Sequence, residues 1–295
     1  MPTHLRLPLA LIAVAVALLA LPGVASAAFV QGTSGNDELI GTGGDDVINC
    51  GLGNDQAFGN GGNDQINCGG GDDRVNAGGG NDRIEDSGNF FERDVNEGGP
   101  GDDVVFGIGP DTLRGGAGDD FLENKFGRGL STLDGGDGRD TLNGPANSEG
   151  ALDGGGGNDR IFGGSEPDSI DGGTGRDFVR SFGGRDVIEG GPDNDRITSG
   201  PNGDRVFGGS GNDKIFPDSG NDRVRGQDGK DQVAGSSGND DIRGNAGNDR
   251  LCGGSGKDTL RGNSGDDLLD GGSGRDSVQG NSGTDDVIER LRCVR

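Results

Sequence analysis

From position 157 to 287 the chain alternates a polar, glycine-rich stretch with a single aliphatic residue, and the beat is nine residues long. The aliphatic series runs Ile161, Ile170, Val179, Ile188, Ile197, Val206, Ile215, Val224, Val233, Ile242, Leu251, Leu260, Leu269, Val278 and Val287. Each stands two residues after an Asp, and a Gly usually stands two residues before that Asp. The first six residues of a phrase, as in Gly208-Gly209-Ser210-Gly211-Asn212-Asp213, predict a turn, because glycine supplies positive φ and Asn and Asp tolerate left-handed backbone. The next three, Lys214-Ile215-Phe216, predict a short strand whose middle side chain points inward and whose neighbours point to solvent. A fixed short period is the mark of a solenoid. Two phrases make one coil of eighteen residues, with turns on alternating edges and parallel strands stacked about 4.8 Å apart. The expected fold is therefore all-β: a parallel β-roll, a β-solenoid of nonapeptide repeats with two repeats per coil.

The Asp series in this regular block is Asp159, Asp168, Asp177, Asp186, Asp195, Asp204, Asp213, Asp222, Asp231, Asp240, Asp249, Asp258, Asp267, Asp276 and Asp285. An earlier block keeps the same beat with Asp37, Asp46, Asp55, Asp64, Asp73 and Asp82, followed by Leu39, Ile48, Ala57, Ile66, Val75 and Ile84. Between the two the pattern loosens. Asp103, Asp111, Asp120 and Asp140 keep their aliphatic partners, but one residue is missing between the first two phrases. Ser131 and Gly150 stand where Asp belongs, although Leu133 and Leu152 keep the core slot. Asp94 is followed by Asn96 in its core slot, with Phe90 and Phe91 in an insertion just upstream. The middle thus preserves packing better than carboxylates. The expected segments are repeats over 28–85, degenerate repeats with insertions over 86–156, regular repeats over 157–289 and a capping tail over 290–295.

Composition changes the picture in one respect. Glycine supplies 68 of 295 residues, aromatics 4%, Trp and Tyr none, and the net charge is −25. Low hydrophobicity with high charge would ordinarily mean disorder. The regular apolar beat argues otherwise, provided that something neutralises the carboxylates. So acidic a chain repels nucleic acid and anionic membranes, and its natural small partners are cations. The first 27 residues read as a cleavable signal peptide: His4 and Arg6, an apolar run from Leu7 to Leu21, then Ala25-Ser26-Ala27. Cleavage would remove the only histidine and release a secreted chain with no membrane span.

The phrase G-G-x-G-x-D-x-(aliphatic)-x resembles the hemolysin-type calcium-binding (RTX) repeat, over about residues 33 to 289. The resemblance implies a β-roll with Ca²⁺ ions between successive turns, held by the aspartates of the two series above, by Asp103, Asp111, Asp120 and Asp140 at weakened sites in the middle, and by turn carbonyls. The chemistry agrees independently. Ca²⁺ accepts six to eight oxygens at irregular geometry, whereas Zn²⁺ wants His or Cys clusters and Mg²⁺ a tight octahedron. Stacked carboxylates without cations would repel, so folding is expected to be coupled to calcium. Some phrases depart from the family pattern. A basic residue precedes the Asp at Arg139, Arg176, Arg185, Lys230, Lys257 and Arg275, and Glu166, Asp193 and Asn202 replace the glycine two before it.

Cys50 and Cys68 are eighteen apart and both open a phrase, so on the roll they stack one coil apart, within disulfide range. Cys252 and Cys293 then pair by default. Enzyme signatures are missing: without His the mature chain offers no zincin motif and no Ser-His-Asp triad, and no P-loop or G-x-S-x-G is present. Outward strand positions mix Arg74, Arg205 and Arg223 with Phe58, Phe106, Phe162, Phe207 and Phe216. The reading is an exported, non-catalytic calcium-binding β-roll. Its alternative is an extracellular adhesin or matrix component that uses the roll as a scaffold for a face binding protein or polysaccharide.

Overall fold

A computed structural model describes residues 26–288. Nearly all of the expected signal peptide, and the expected tail with Cys293, lie outside that range. The chain winds into a β-solenoid of about fourteen coils, with no helix among the described residues. Strands alternate between a 15-stranded sheet, beginning with Phe29–Gln31 and Val47–Asn49, and a 14-stranded sheet, beginning with Glu38–Ile40 and Gln56–Gly61. Every strand pairs in parallel with the strand two before and two after it. In the regular parts the register is eighteen residues, as in Ile188 on Val206 on Val224.

One aliphatic side chain per nonapeptide fills the space between the sheets. Leu39, Ile48, Leu113, Leu122, Ile188, Ile197 and Ile215 are all fully buried, and the inward residues of both sheets form one continuous cluster. Leu133 and Leu152 stay in that column although their phrases have lost the Asp. Asn96 occupies its core slot too, stacked between Val75 and Leu113, and its Nδ2 finds no partner. Fully burying one such aliphatic is worth about 1.5–3 kcal/mol. That is little for nine ordered residues, so the turns carry much of the remaining stabilisation.

The coil has two edges, each a column of turns. One contains Asp37 and leads into the 14-stranded sheet; the other contains Asp46 and leads into the 15-stranded sheet. Every change in repeat length falls on the Asp37 edge. The turns before Asp94, Ser131 and Gly150 are lengthened and the one before Asp111 is shortened, whereas those before Asp103, Asp120, Asp140 and Asp159 are regular. Two of the insertions pack on each other: Phe90 meets Phe126 edge to face at 6.3 Å, above the shortened turn. Phe90, Phe91, Phe126 and Leu130 remain exposed there. The expectation that Phe216 points to solvent is corrected. Its ring is buried beneath the Arg196 guanidinium, 4.9 Å from the ring centre.

The disulfide Cys50–Cys68 is present, with α-carbons 4.6 Å apart, and it clamps the first coils on the Asp37 edge. Cys252 is buried and disulfide-bonded, while its expected partner lies outside the described residues.

Candidate metal centre

Local sequence explains how the aspartates become buried. A turn brings the backbone round so that each Asp N–H points along the solenoid axis to the carboxylate one coil on. On the Asp46 edge this ladder is continuous. Asp46 N–H donates to Asp64 Oδ1 at 2.8 Å, and the same bond runs through Asp82, Asp103, Asp120, Asp140, Asp159, Asp177, Asp195, Asp213, Asp231, Asp249 and Asp267 to Asp285. On the Asp37 edge it runs through Asp55, Asp73 and Asp94 to Asp111, and stops there. Ser131 sends its hydroxyl to the Gly109 carbonyl instead. The ladder resumes when Gly150 N–H donates to Asp168 Oδ1, then continues through Asp186, Asp204, Asp222, Asp240 and Asp258 to Asp276. From Asp37 to Asp267 the aspartates of both ladders are buried, and only the last two, Asp276 and Asp285, are partly open.

Each ladder bond uses one carboxylate oxygen. The other is the informative atom. Oδ2 is buried without any hydrogen-bond partner in Asp55, Asp64, Asp73, Asp82 and Asp103, and in nearly every later member through Asp267. A partnerless buried carboxylate oxygen costs several kcal/mol unless a cation meets it. Three members have protein donors: Asp37 Oδ2 accepts from Thr33, Asp46 Oδ2 from Thr42, and Asp168 Oδ2 from Gly164 N–H.

The surroundings of these oxygens supply further oxygen. A Cβ placed on Gly208 would stand 2.5 Å from Asp213 Oδ2 and 2.6 Å from the Gly226 carbonyl oxygen of the next coil. The same convergence recurs at Gly41, Gly115, Gly135 and Gly190. Glycine at the opening of a phrase keeps this cradle clear, since a side chain there would fill a space lined by a carboxylate and a carbonyl. On the Asp46 edge this position is Gly in every coil except one, Ala77. On the Asp37 edge it holds Cys50, Cys68, Asp86, Asn124, Ser181, Ser199 and Pro217 at successive coils among glycines. Ser181 and Ser199 are buried and donate their hydroxyls to carbonyls one coil on.

Burial pushes the carboxyls up, and neighbouring carboxylates add to it. Asp195 reaches about 8, driven first by desolvation and then by Asp177, Asp213 and Asp193. Asp159 and Asp231 reach about 7 for the same reasons. Two ionised carboxylates one coil apart repel by roughly 3 kcal/mol at an effective dielectric near 20. A hard, oxygen-seeking divalent cation would reverse that sign, and the donor set of carboxylate and carbonyl oxygen suits Ca²⁺.

The residue before each Asp behaves differently. Asn and Asp there form an outer, opposite ladder, as when Asn63 N–H donates to Asp45 Oδ1 and Lys230 N–H to Asn212 Oδ1. Arg139, Arg176, Arg185, Lys230, Lys257 and Arg275 occupy this outer position and are exposed, while the Asp after each points inward. Asp193 and Asn202 take over the left-handed conformation of the glycine they replace, with φ of 85° and 83°.

A local cluster was not legible in the nonapeptide count. Asp86, Asp94 and Asp111 are all buried, with carboxylate oxygens within 4.8 Å of one another. Asp94 is pushed up to about 9, first by burial and then by Asp86 and Asp111. Asp86 stands at the opening position of a phrase, outside the Asp column, and pairs in register with Cys68, eighteen residues before it. A count restricted to the Asp position of each phrase passes over it.

The RTX calcium-binding nonapeptide repeat model matches residues 23–57, 31–66, 51–84, 97–130, 127–144, 153–181, 180–215, 216–251, 225–260 and 252–287. The chain belongs to the RTX calcium-binding nonapeptide repeat family. The RTX matches break between 84 and 97 and between 144 and 153, where two of the lengthened turns of the Asp37 edge lie. No curated protein matches the chain. Among solved structures, a hyperactive, Ca²⁺-dependent, β-helical antifreeze protein from an Antarctic bacterium is 20% identical, covering 93% of this RTX chain and 88% of that one at a TM-score of 0.29. So low a score carries no functional argument.

Proposed function

We propose that this RTX protein is an exported, non-catalytic calcium-binding β-roll whose fold is completed by Ca²⁺ ions held between successive turns, above all along the Asp46 edge. The observation that carries this reading is the file of buried Oδ2 atoms without partners, which at Asp64, Asp120, Asp140, Asp195 and Asp213 converge with a turn carbonyl of the next coil. Bound Ca²⁺ would supply charge neutralisation and oxygen coordination. The chain's own part is to place Asp82, Asp103, Asp120, Asp140, Asp159, Asp177, Asp195, Asp213, Asp231 and Asp249 at coil spacing and to keep side chains out of the cradle. Circular dichroism with and without EGTA tests it: the β signal is expected to vanish in chelator and return with calcium, and a signal unchanged by chelator contradicts it.

A second reading is favoured by the exposed Phe90, Phe91, Phe126 and Leu130 on the paired insertions of the Asp37 edge. Exposed apolar clusters mark interaction surfaces. In that reading the roll displays an adhesive patch toward an extracellular protein or polysaccharide. Calcium-dependent capture of a surface polymer, lost on Phe90→Ser with Phe91→Ser, supports it; equal capture by the variant removes it.

A further inference from the structure

The outer face of the 14-stranded sheet carries an ordered charge pattern. The residue after the inward aliphatic of each strand forms a column in which Asp134 lies on Asp153, Asp153 on Asp171, and Asp171 on Glu189. The column continues with Phe207, then Arg225, Arg243 and Arg261. Four acids are thus followed by one aromatic ring and three arginines, each a single strand from the next. Like charges directly opposite one another on neighbouring strands destabilise a sheet. None of the four acids is ion-paired among the described residues. Asp153, Asp171, Glu189 and Arg225 are exposed, and Arg225 leans over the Phe207 ring at 5.6 Å.

The pattern is antisymmetric about Phe207. One strand away stand Glu189 and Arg225, two strands away Asp171 and Arg243, three strands away Asp153 and Arg261. A two-fold axis through Phe207, lying along the strand direction, turns a second copy end for end and lays its basic half over the acidic half of the first. We propose that this face is a self-complementary docking surface, and that two copies of the chain pair on it with antiparallel solenoid axes. Such a contact is isologous: Glu189 meets Arg225 of the second copy, and Arg225 meets its Glu189. Beside the column, Arg223 thickens the basic half and Arg205 stands on the axis strand, while Asp241 already bridges Arg243 and Arg261 at 3.1 and 3.0 Å. Arg205 meets its own copy at the axis, a cost that the flanking Glu189 residues offset.

The matched part of the column is about 29 Å long, six strand spacings, so the interface is small and rests on charge rather than area. The dimer is therefore weak and salt-sensitive. The chain's charge of −25 opposes pairing, so pairing strengthens when cations neutralise the aspartates. That last dependence rests on the proposed calcium function; the face itself does not.

The test is sedimentation velocity on the calcium-loaded full chain, with folding confirmed by circular dichroism in the same buffer. A concentration-dependent dimer is expected at low salt, its dissociation constant rising at least tenfold between 20 mM and 300 mM NaCl, as expected for a contact held by several charge pairs. Arg225→Glu alone and Glu189→Arg alone are each expected to give monomer, because each replaces two attractive contacts by two repulsive ones. An equimolar mixture of these two variants restores the attraction on both sides and is expected to give a heterodimer, a result that misfolding could not produce. A folded monomer at low salt, or a dimer that Arg225→Glu leaves intact, overturns the proposal. Loss of the fold without calcium would concern the calcium reading, because the dimer is judged only on folded protein.

Discussion

The two edges of the solenoid are built from the same phrase and have diverged. The Asp46 edge keeps an unbroken carboxylate ladder from Asp46 to Asp285, regular turns, and glycine at the cradle in every coil but that of Ala77. The Asp37 edge has absorbed every length change, interrupts its ladder between Asp111 and Asp168, and places a disulfide, hydroxyls, an amide and an extra carboxylate where glycine would otherwise stand. The inner aliphatic column is shared by both and is insensitive to the difference. Packing therefore demands one residue per phrase, whereas the proposed ion chemistry demands a carboxylate, a carbonyl and an empty Cβ position together. Where that full set is lost, side chains take over the joining of one coil to the next.

The broadest way to strain the comparison is pH without calcium, because it acts on every coil. The buried carboxyls titrate above their ordinary value, Asp195 near 8, Asp103 and Asp120 near 7, and Asp213 and Asp249 near 6, with burial as the leading cause. A carboxyl whose folded pKa is raised favours the fold when protonated. Its contribution is therefore largest at low pH and is lost as pH rises through the folded value. The metal-free chain is expected to gain β structure as pH falls from 8 to 5. The stabilisation added by calcium should shrink over the same interval, as thermal melts at fixed pH with and without calcium would show.

Next in size is a pair of substitutions on one edge. Asp195→Asn with Asp213→Asn keeps an oxygen to accept each ladder N–H but removes two charges from the Asp46 edge. These changes are expected to stabilise the metal-free chain and to raise the calcium concentration at the folding midpoint about tenfold, a cost near 1.4 kcal/mol. The same pair at Asp186 and Asp204, where Ser181 and Ser199 already stand beside the carboxylates, should shift the midpoint less. Equal shifts from the two pairs would abolish the distinction between the edges.

The disulfide tests the Asp37 edge alone. An eighteen-residue loop closed by Cys50–Cys68 is worth about 3 kcal/mol in the chain-entropy account. Cys50→Ala with Cys68→Ala is expected to increase hydrogen exchange in the first coils and leave the coils after 157 unchanged. The smallest effect is a gain. Ser199→Gly frees the cradle beside Asp204 and should add calcium affinity of about threefold by titration calorimetry, roughly 0.6 kcal/mol.

Much of this was legible in the sequence. The ninefold beat gave the inward positions one by one, including Leu133 and Leu152 in phrases without Asp. The eighteen-residue coil gave the Cys50–Cys68 bridge from spacing alone. What escaped depends on register after an insertion. Asp86 opens a phrase two nines beyond Cys68, outside the Asp positions, and it meets Asp94 and Asp111 across the insertion that follows it. Phe216 looked outward by strand alternation, but a neighbouring guanidinium covers it, and alternation carries no knowledge of the adjacent coil. The charge column from Asp134 to Arg261 was hidden for a similar reason: its members lie eighteen or nineteen residues apart and align only once the coil is known.

The most direct measurement is anomalous scattering from a crystal of the calcium-loaded protein. Peaks are predicted in an unbroken file beside the Oδ2 atoms of the Asp46 edge, from the coil of Asp64 to that of Asp267, with a gap on the other edge between Asp111 and Asp168. A crystal grown in ample calcium that shows no such file, or equal and continuous files on both edges, contradicts the account.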